Sequence, residues 1–90
     1  MKIFIESPCS ASTIIKYGIK NWPIWECKPS NFNWFYEEKE ICLLIEGEAN
    51  IKTVAGSYKL KSGDLVIFPA GFECNWEIKK TIRKHYRLGD

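Results

Sequence analysis

The chain has 90 residues, enough for one domain whose interior must be filled with large side chains. Four Trp, four Tyr and five Phe can fill it. The formal net charge is +2 and the charged residues of both signs are interspersed, so we expect no nucleic-acid partner. No stretch approaches the roughly 20 apolar residues that span a bilayer, so we expect no membrane partner.

The four cysteines, Cys9, Cys27, Cys42 and Cys74, could form two disulfides in a small secreted protein. Residues 1–6 hold no apolar run of the length of a secretion signal. The spacings contain no Cys-x-x-Cys and there is one histidine, which excludes the usual zinc frameworks. We therefore expect free buried thiols in a cytoplasmic protein.

The N-terminal part predicts a short strand at residues 3–5, followed by a helix of about two turns at residues 10–18. Ser10 or Ser12 can cap the first amides of this helix, and Gly18 suits the left-handed position after its last turn. The side chains expected to face the body of the protein are Ile14, Ile15 and Tyr17.

Short strands separated by turn signals follow. Residues 22–28 are predicted to be an edge strand because Pro23 cannot donate to a sheet ladder. Residues 32–36 place large side chains at even positions, and residues 40–45 are apolar on both faces, as in a covered strand. After a turn at residues 46–48, further strands are predicted at residues 49–54 and 58–60.

The stretch from residue 63 to residue 76 predicts a buried strand, a sharp corner and another strand. The stretch begins with the turn signal Gly63-Asp64, and the four apolar residues 65–68 follow it. Pro69-Ala70-Gly71 then breaks the strand. Beyond the break, alternation places Phe72, Cys74 and Trp76 on one face. After a polar turn at residues 78–81, a last strand is predicted at residues 82–88.

Eight or nine short strands and one helix predict an all-β chain, folded as a closed antiparallel barrel or sandwich.

Two passages resemble motifs of the cupin superfamily. Gly63, five residues and then Pro69-Ala70-Gly71 match the second cupin motif, G-x5-P-x-G-x2-H, with Cys74 at the position of its histidine. Glu40, followed after six residues by Gly47, matches the end of the first motif, H-x-H-x3-E-x6-G.

The resemblance is closest to small single-domain cupins similar to the (S)-ureidoglycine aminohydrolase and ethanolamine-utilisation-Q type. The segments that carry it are residues 22–26, 32–36, 44–48, 63–64, 68–76 and 83–86. It implies one domain over residues 1–90, built as a small antiparallel jelly-roll β-barrel (RmlC-like) at about residues 22–88. The strand and the short helix of residues 1–21 would precede the barrel.

Cupin enzymes generally hold a metal ion with three His and one Glu. Counting back from Glu40 places Trp34 and Tyr36 at the two histidines of the first motif. Indole has no lone pair for a metal, and a phenol must first lose its proton, so we expect no metal and no cofactor. His85 lies outside both motifs and would point away from the lumen if Tyr86 points inward.

The same substitutions predict an aromatic lumen with one carboxylate, suited to a planar or cationic small molecule. The alternative is an aromatic core that simply fills a small barrel. A buried Glu40 would need a partner, for which Tyr36 and Trp34 are candidates. The side chains expected to contact a ligand are Trp34, Tyr36, Glu40, Phe72, Cys74 and Trp76.

Three functions follow from this pattern. The first is metal-independent binding of a small molecule. The second is an enzyme of the aminohydrolase or isomerase type, with Glu40 as acid/base, Cys74 as a candidate nucleophile and an unusual metal as an option. The third is a structural module that forms a homodimer, which the resemblance also suggests, through an outer patch of Phe35, Trp22 and Trp25.

Overall fold

A computed structural model describes residues 2–89, and within them it has seven strands and one α-helix. All strand pairings in this part of the chain are antiparallel, in agreement with the predicted all-β jelly roll. The strands are β1 (Phe4–Glu6), β2 (Ile24–Cys27), β3 (Ser30–Phe35), β4 (Glu40–Thr53), β5 (Gly56–Lys61), β6 (Leu65–Phe68) and β7 (Glu73–Leu88). The helix α1 (Ala11–Tyr17) is followed by a 3-10 turn at Ile19–Asn21.

The long strands β4 and β7 form the frame of the barrel. The first part of β4 pairs with β6 and with the end of β7, and its second part pairs with β5 and the start of β7. Strand β1 adds to β6, while β2 and β3 add to β7. Both parts of the frame contribute to one apolar core, in which Trp76, Phe68 and Leu44 are almost fully buried.

The described residues form seven strands, fewer than the eight or nine predicted, because two predicted turns are strand. At residues 46–48 the chain continues through Gly47 with φ +102°, and the register of β4 against β7 shifts around this point. Residues 78–81 also belong to β7, where Lys80 lies opposite Glu48. The polar residues in both segments mark the exposed bend of a long strand and not its end.

The predicted ends of α1 are confirmed. Ser10 is the N-cap, its hydroxyl accepting from the Thr13 backbone N–H, and Gly18 follows with φ 60°. The predicted inward face is wrong for Ile15, which is 79% exposed, and for Tyr17, which is half-exposed. The prediction is confirmed for Ile14, which packs on a small cluster around Ile19. Of the three side chains predicted to face the body of the protein, only Ile14 therefore attaches this two-turn helix to the barrel.

Candidate ligand-binding site

A cavity of about 510 Å³ opens at one end of the barrel. This volume lies within the range of small-molecule pockets. Strands β2, β3, β4 and β7 and the loop between β3 and β4 contribute to its wall, which is rich in rings. The lining residues are Trp25, Phe32, Trp34, Phe35, Tyr36, Glu37, Glu38, Glu40, Trp76, Lys84, Tyr86 and Leu88.

A buried ion pair forms part of this wall. Lys84 Nζ donates to Glu40 Oε2 at 2.6 Å, and their side chains are only 7% and 10% exposed. Glu40 lies opposite Leu88, and Lys84 lies four residues earlier on β7, so both side chains are on the same face. The ammonium is 4.9 Å from the ring centroids of both Trp25 and Trp76. The carboxylate is therefore neutralised by a cation held between two indoles.

Sequence reasoning missed Lys84. It named Tyr36 and Trp34 as partners of Glu40, but the Tyr36 hydroxyl accepts from Trp76 Nε1 at 3.0 Å, and Lys84 holds the carboxylate. The missed signal was alternation along β7, because the rule that turns Tyr86 inward also turns Lys84 inward.

Tyr36 is a buried phenol in the wall of the cavity. Its ring stacks on Phe68 with centroids 4.4 Å apart. Burial raises the pKa of Tyr36 far above its ordinary value, and the negative charge of Glu40 raises it further, although the hydrogen bond from Trp76 opposes the shift. Tyr36 therefore stays protonated and presents a neutral hydroxyl.

The other expected ligand contacts divide into two groups. Trp34 and Trp76 line the cavity, but Trp34 is 52% exposed and lies at its mouth. Phe72 and Cys74 are buried in the core outside the cavity lining. Burial raises the pKa of Cys74 to about 11, with the positive charge of Lys84 opposing the shift, so Cys74 is a thiol near neutral pH.

The expected outer patch is largely absent from the described surface. Trp25 is partly buried against the core and lines the cavity. Trp22 packs on the cluster around Ile19, with the Arg87 guanidinium 5.1 Å from its ring centroid. Phe35 alone of the three predicted residues is more than half exposed. The ring of Phe32, which was placed among the even positions of its strand, lines the cavity beside Trp34.

His85 lies in a different environment. Its Nδ1 is 3.0 Å from the backbone carbonyl oxygen of Trp22, next to the start of β2. His85 is not among the residues of the cavity wall. This contact links β7 to the segment before β2, which is a structural role.

The four motif positions do not fit the metal that other cupins hold. Trp34 has no lone pair to offer, Tyr36 and Cys74 keep their protons near neutral pH, and the Lys84 ammonium binds Oε2 of Glu40. Within residues 2–89, no three His, Cys, Asp or Glu side chains come together in a group that could hold a metal ion.

The family model of the EutQ-like cupin domain matches residues 16–86. The chain belongs to the EutQ-type cupins. A DUF861 family protein from Thermotoga maritima is 36% identical, with a TM-score of 0.91, and the match covers 97% of this cupin and 99% of that protein. The comparison with curated proteins found no match.

Two EutQ proteins share the fold. The putative ethanolamine utilization protein Q of Salmonella typhimurium is 21% identical, with a TM-score of 0.66 over 73% of this cupin and 54% of that chain. EutQ of Clostridium difficile is 24% identical, with a TM-score of 0.67 over 73% of this cupin and 52% of that chain. This cupin thus spans about half the length of the two EutQ proteins and nearly all of the Thermotoga protein.

Helices in the described part of the chain are all too short or too polar to cross a membrane.

Proposed function

We propose that this cupin binds a planar or cationic small molecule in its aromatic cavity without using a metal ion. The observation that carries the proposal is the cavity of about 510 Å³ with a buried Lys84–Glu40 pair in its wall. Trp34, Phe35 and Leu88 in its lining are each about half exposed, so a small molecule can enter the cavity from solvent.

The charge of the wall favours a cation over an anion. Three carboxylates, those of Glu37, Glu38 and Glu40, line the cavity together with one ammonium, that of Lys84. Within the lining, carboxylates therefore outnumber ammonium groups by two. Glu37 and Glu38 are exposed, so their repulsion of an organic anion is screened by salt and gives a modest preference for a cation.

Two kinds of surface are available to a ligand. The Lys84 ammonium already lies over Trp25 and Trp76, and Phe32 contacts three other rings, which leaves the half-exposed ring of Trp34 for stacking. Lys84 donates to Glu40 Oε2, and we expect a ligand amine to donate to the other carboxylate oxygen, Oε1. A flat ring that carries an amine satisfies both surfaces.

A matched series of benzylamine, benzyl alcohol and benzoate tests the proposal by two-dimensional NMR of the labelled protein. We expect saturable shifts of the cavity residues that are strongest with benzylamine and weakest with benzoate. Trp34→Ala should weaken the response, while Phe4→Ala, at an exposed position on β1, should leave it unchanged. Absence of cavity shifts with all three compounds, or a preference for benzoate, contradicts the proposal.

We also propose that this cupin is a cytoplasmic homodimer. Its four cysteines are free thiols, as is usual in a reducing compartment. Trp34, Phe35 and Leu88 are each about half exposed and line the cavity mouth, which gives an apolar rim that a second copy could cover.

Light scattering across a range of concentrations tests the dimer. Phe35→Ser should shift the mass towards the monomer, whereas Ile15→Ser, at a more exposed site on α1, should not. A monomer at the highest concentration contradicts the proposal, and so does an equal effect of the two variants.

A further inference from the structure

We infer that the Lys84 ammonium takes the place of a metal ion in this barrel, and that Glu40, Trp25 and Trp76 form a cage for one organic ammonium group. The chain supplies the occupant itself. The cage is part of the cavity wall, but its occupant belongs to the chain and is not a bound ligand.

The position of the ammonium supports the first part of the inference. Lys84 Nζ lies 2.6 Å from the carboxylate that stands at the glutamate of the first cupin motif. Its positive charge also acts on Cys74, at the last position of the second motif, and on Cys42, where it opposes the rise in thiol pKa caused by burial. The cation thus lies beside the glutamate of the first motif, and its charge reaches the cysteine at the last position of the second motif.

The chemistry of the cage supports the second part. Two indole faces at 4.9 Å attract a cation through their electron-rich rings but offer no lone pair. A divalent transition metal needs about four ligand atoms, and the cage supplies one carboxylate. An ammonium donates hydrogen bonds and needs no ligand atoms, so one acceptor and two ring faces suit it.

The paired strands explain why the cage is already formed. Trp25 on β2 lies directly opposite Lys84 on β7, and Trp76 belongs to the same strand β7. The indole of Trp76 is fixed by its hydrogen bond to Tyr36. The cage is therefore held by strand pairing and by a buried hydrogen bond.

Chemical rescue of Lys84→Ala tests the inference. This substitution removes a fragment equivalent to n-propylammonium and leaves the carboxylate and both indoles in place. At about five times its Kd, n-propylammonium should raise the Tm of the variant by about 4–8 °C in a saturable manner. The uncharged n-propanol, of similar size, should have no saturable effect.

Two control variants separate the cage from a general salt effect. Glu40→Gln/Lys84→Ala lacks the carboxylate and should lose the rescue. Lys80→Ala breaks an ion pair of similar length, 2.7 Å to Glu48, but Lys80 is 71% exposed, so n-propylammonium should not restore it.

Several outcomes would overturn the inference. These are equal stabilisation by n-propanol, rescue that persists in the double variant, and stabilisation of Lys84→Ala by zinc or manganese chloride that exceeds the effect of n-propylammonium. If Lys84→Ala is unfolded in buffer, the variant is refolded in the presence of each compound. The near-ultraviolet circular dichroism of the tryptophans then measures the recovery of the fold. Recovery with n-propylammonium alone supports the cage, and recovery with both compounds or neither contradicts it.

Discussion

The hydrogen bonds of Tyr36 and Glu40 determine which polar atoms the cavity presents. Trp76 Nε1 donates to the phenol, and Lys84 donates to the carboxylate, so each group has a partner away from solvent. Removing one member of such a pair leaves the other buried and unsatisfied, which costs more than the bond itself contributes. Single substitutions at these positions should therefore have measurable effects.

Tyr36→Phe should lower the free energy of unfolding by about 1–3 kcal/mol, because the buried Trp76 N–H loses its acceptor. Urea denaturation followed by circular dichroism measures the change. Tyr17→Phe, at a half-exposed position on α1, is the control and should stay within about 0.5 kcal/mol of the native protein. Equal effects of the two variants would show that the hydrogen bond contributes nothing.

Thiol labelling should separate the cysteines by their position in the barrel. Burial raises the pKa of Cys42 and of Cys74 to about 11, and a raised pKa lowers the reactive thiolate fraction at every pH below it. At pH 8 only about one thousandth of each thiol is ionised, and the fraction grows about tenfold per pH unit up to 11. Cys9 and Cys27, which are both partly exposed, should react before Cys42 and Cys74.

Mass spectrometry of the iodoacetamide-treated native protein gives the labelling rate of each cysteine. In urea, the rates of Cys42 and Cys74 should rise to that of Cys27. Fast labelling of Cys74 in the native state would contradict its burial and would revive its assignment as a nucleophile.

At the scale of elements, the bend of β4 at Gly47 decides how the barrel closes. A Cβ at this position would overlap the backbone carbonyl oxygen of Thr81 and would lie 2.8 Å from that of Lys80. The glycine therefore lets β4 approach β7 where the register shifts. Gly47, the last residue of the first cupin motif, thus allows two backbones to approach within a continuous strand. The sequence pattern alone predicts a turn at this position.

Gly47→Ala should strongly destabilise the fold, because strain from the positive φ adds to a collision with backbone atoms that cannot move aside. Gly56→Ala is a matched control, since Gly56 also has a positive φ but has open space around its Cβ position. Thermal unfolding should show a much larger loss of Tm for Gly47→Ala. Similar losses in both would mean that backbone strain alone accounts for the effect.

Elements with local signals were predictable from the sequence, and those that depend on distant pairing were not. The ends of α1 follow from Ser10 and Gly18, and the strand β6 follows from four apolar residues after a turn. Strands β4 and β7 each continue through a polar bend because they pair with one another there. No local sequence pattern encodes this pairing. Alternation along β7 indicates that Lys84 points inward, but its pairing with Glu40, 44 residues away, has no local signal.

At the scale of the whole molecule, the frame of β4 and β7 connects most of the fold. Among the described residues, five of the six strand pairings include one or both of these strands. The cavity wall also draws its ion pair from both of them. Neither part of the barrel can open without disturbing the other, so local unfolding is limited to the periphery.

We therefore expect unfolding to be a single cooperative transition. Tryptophan fluorescence and far-ultraviolet circular dichroism should give the same urea midpoint, with an m-value of about 1–3 kcal/mol/M. The two probes report different regions, because three of the four tryptophans, Trp25, Trp34 and Trp76, line the cavity while circular dichroism reports all strands. Midpoints that differ between the probes would show that the two parts of the barrel unfold separately.

Because Lys84 is part of the polypeptide, its positive charge is made with the chain, and folding places that charge in the barrel. Unlike a bound metal ion, this charge cannot be removed by a chelator or exchanged for another ion. It also needs no separate protein to insert it. The cation is present in every folded copy, in a fixed ratio of one per chain. The cost is versatility, because an ammonium cannot change its oxidation state or its coordination number.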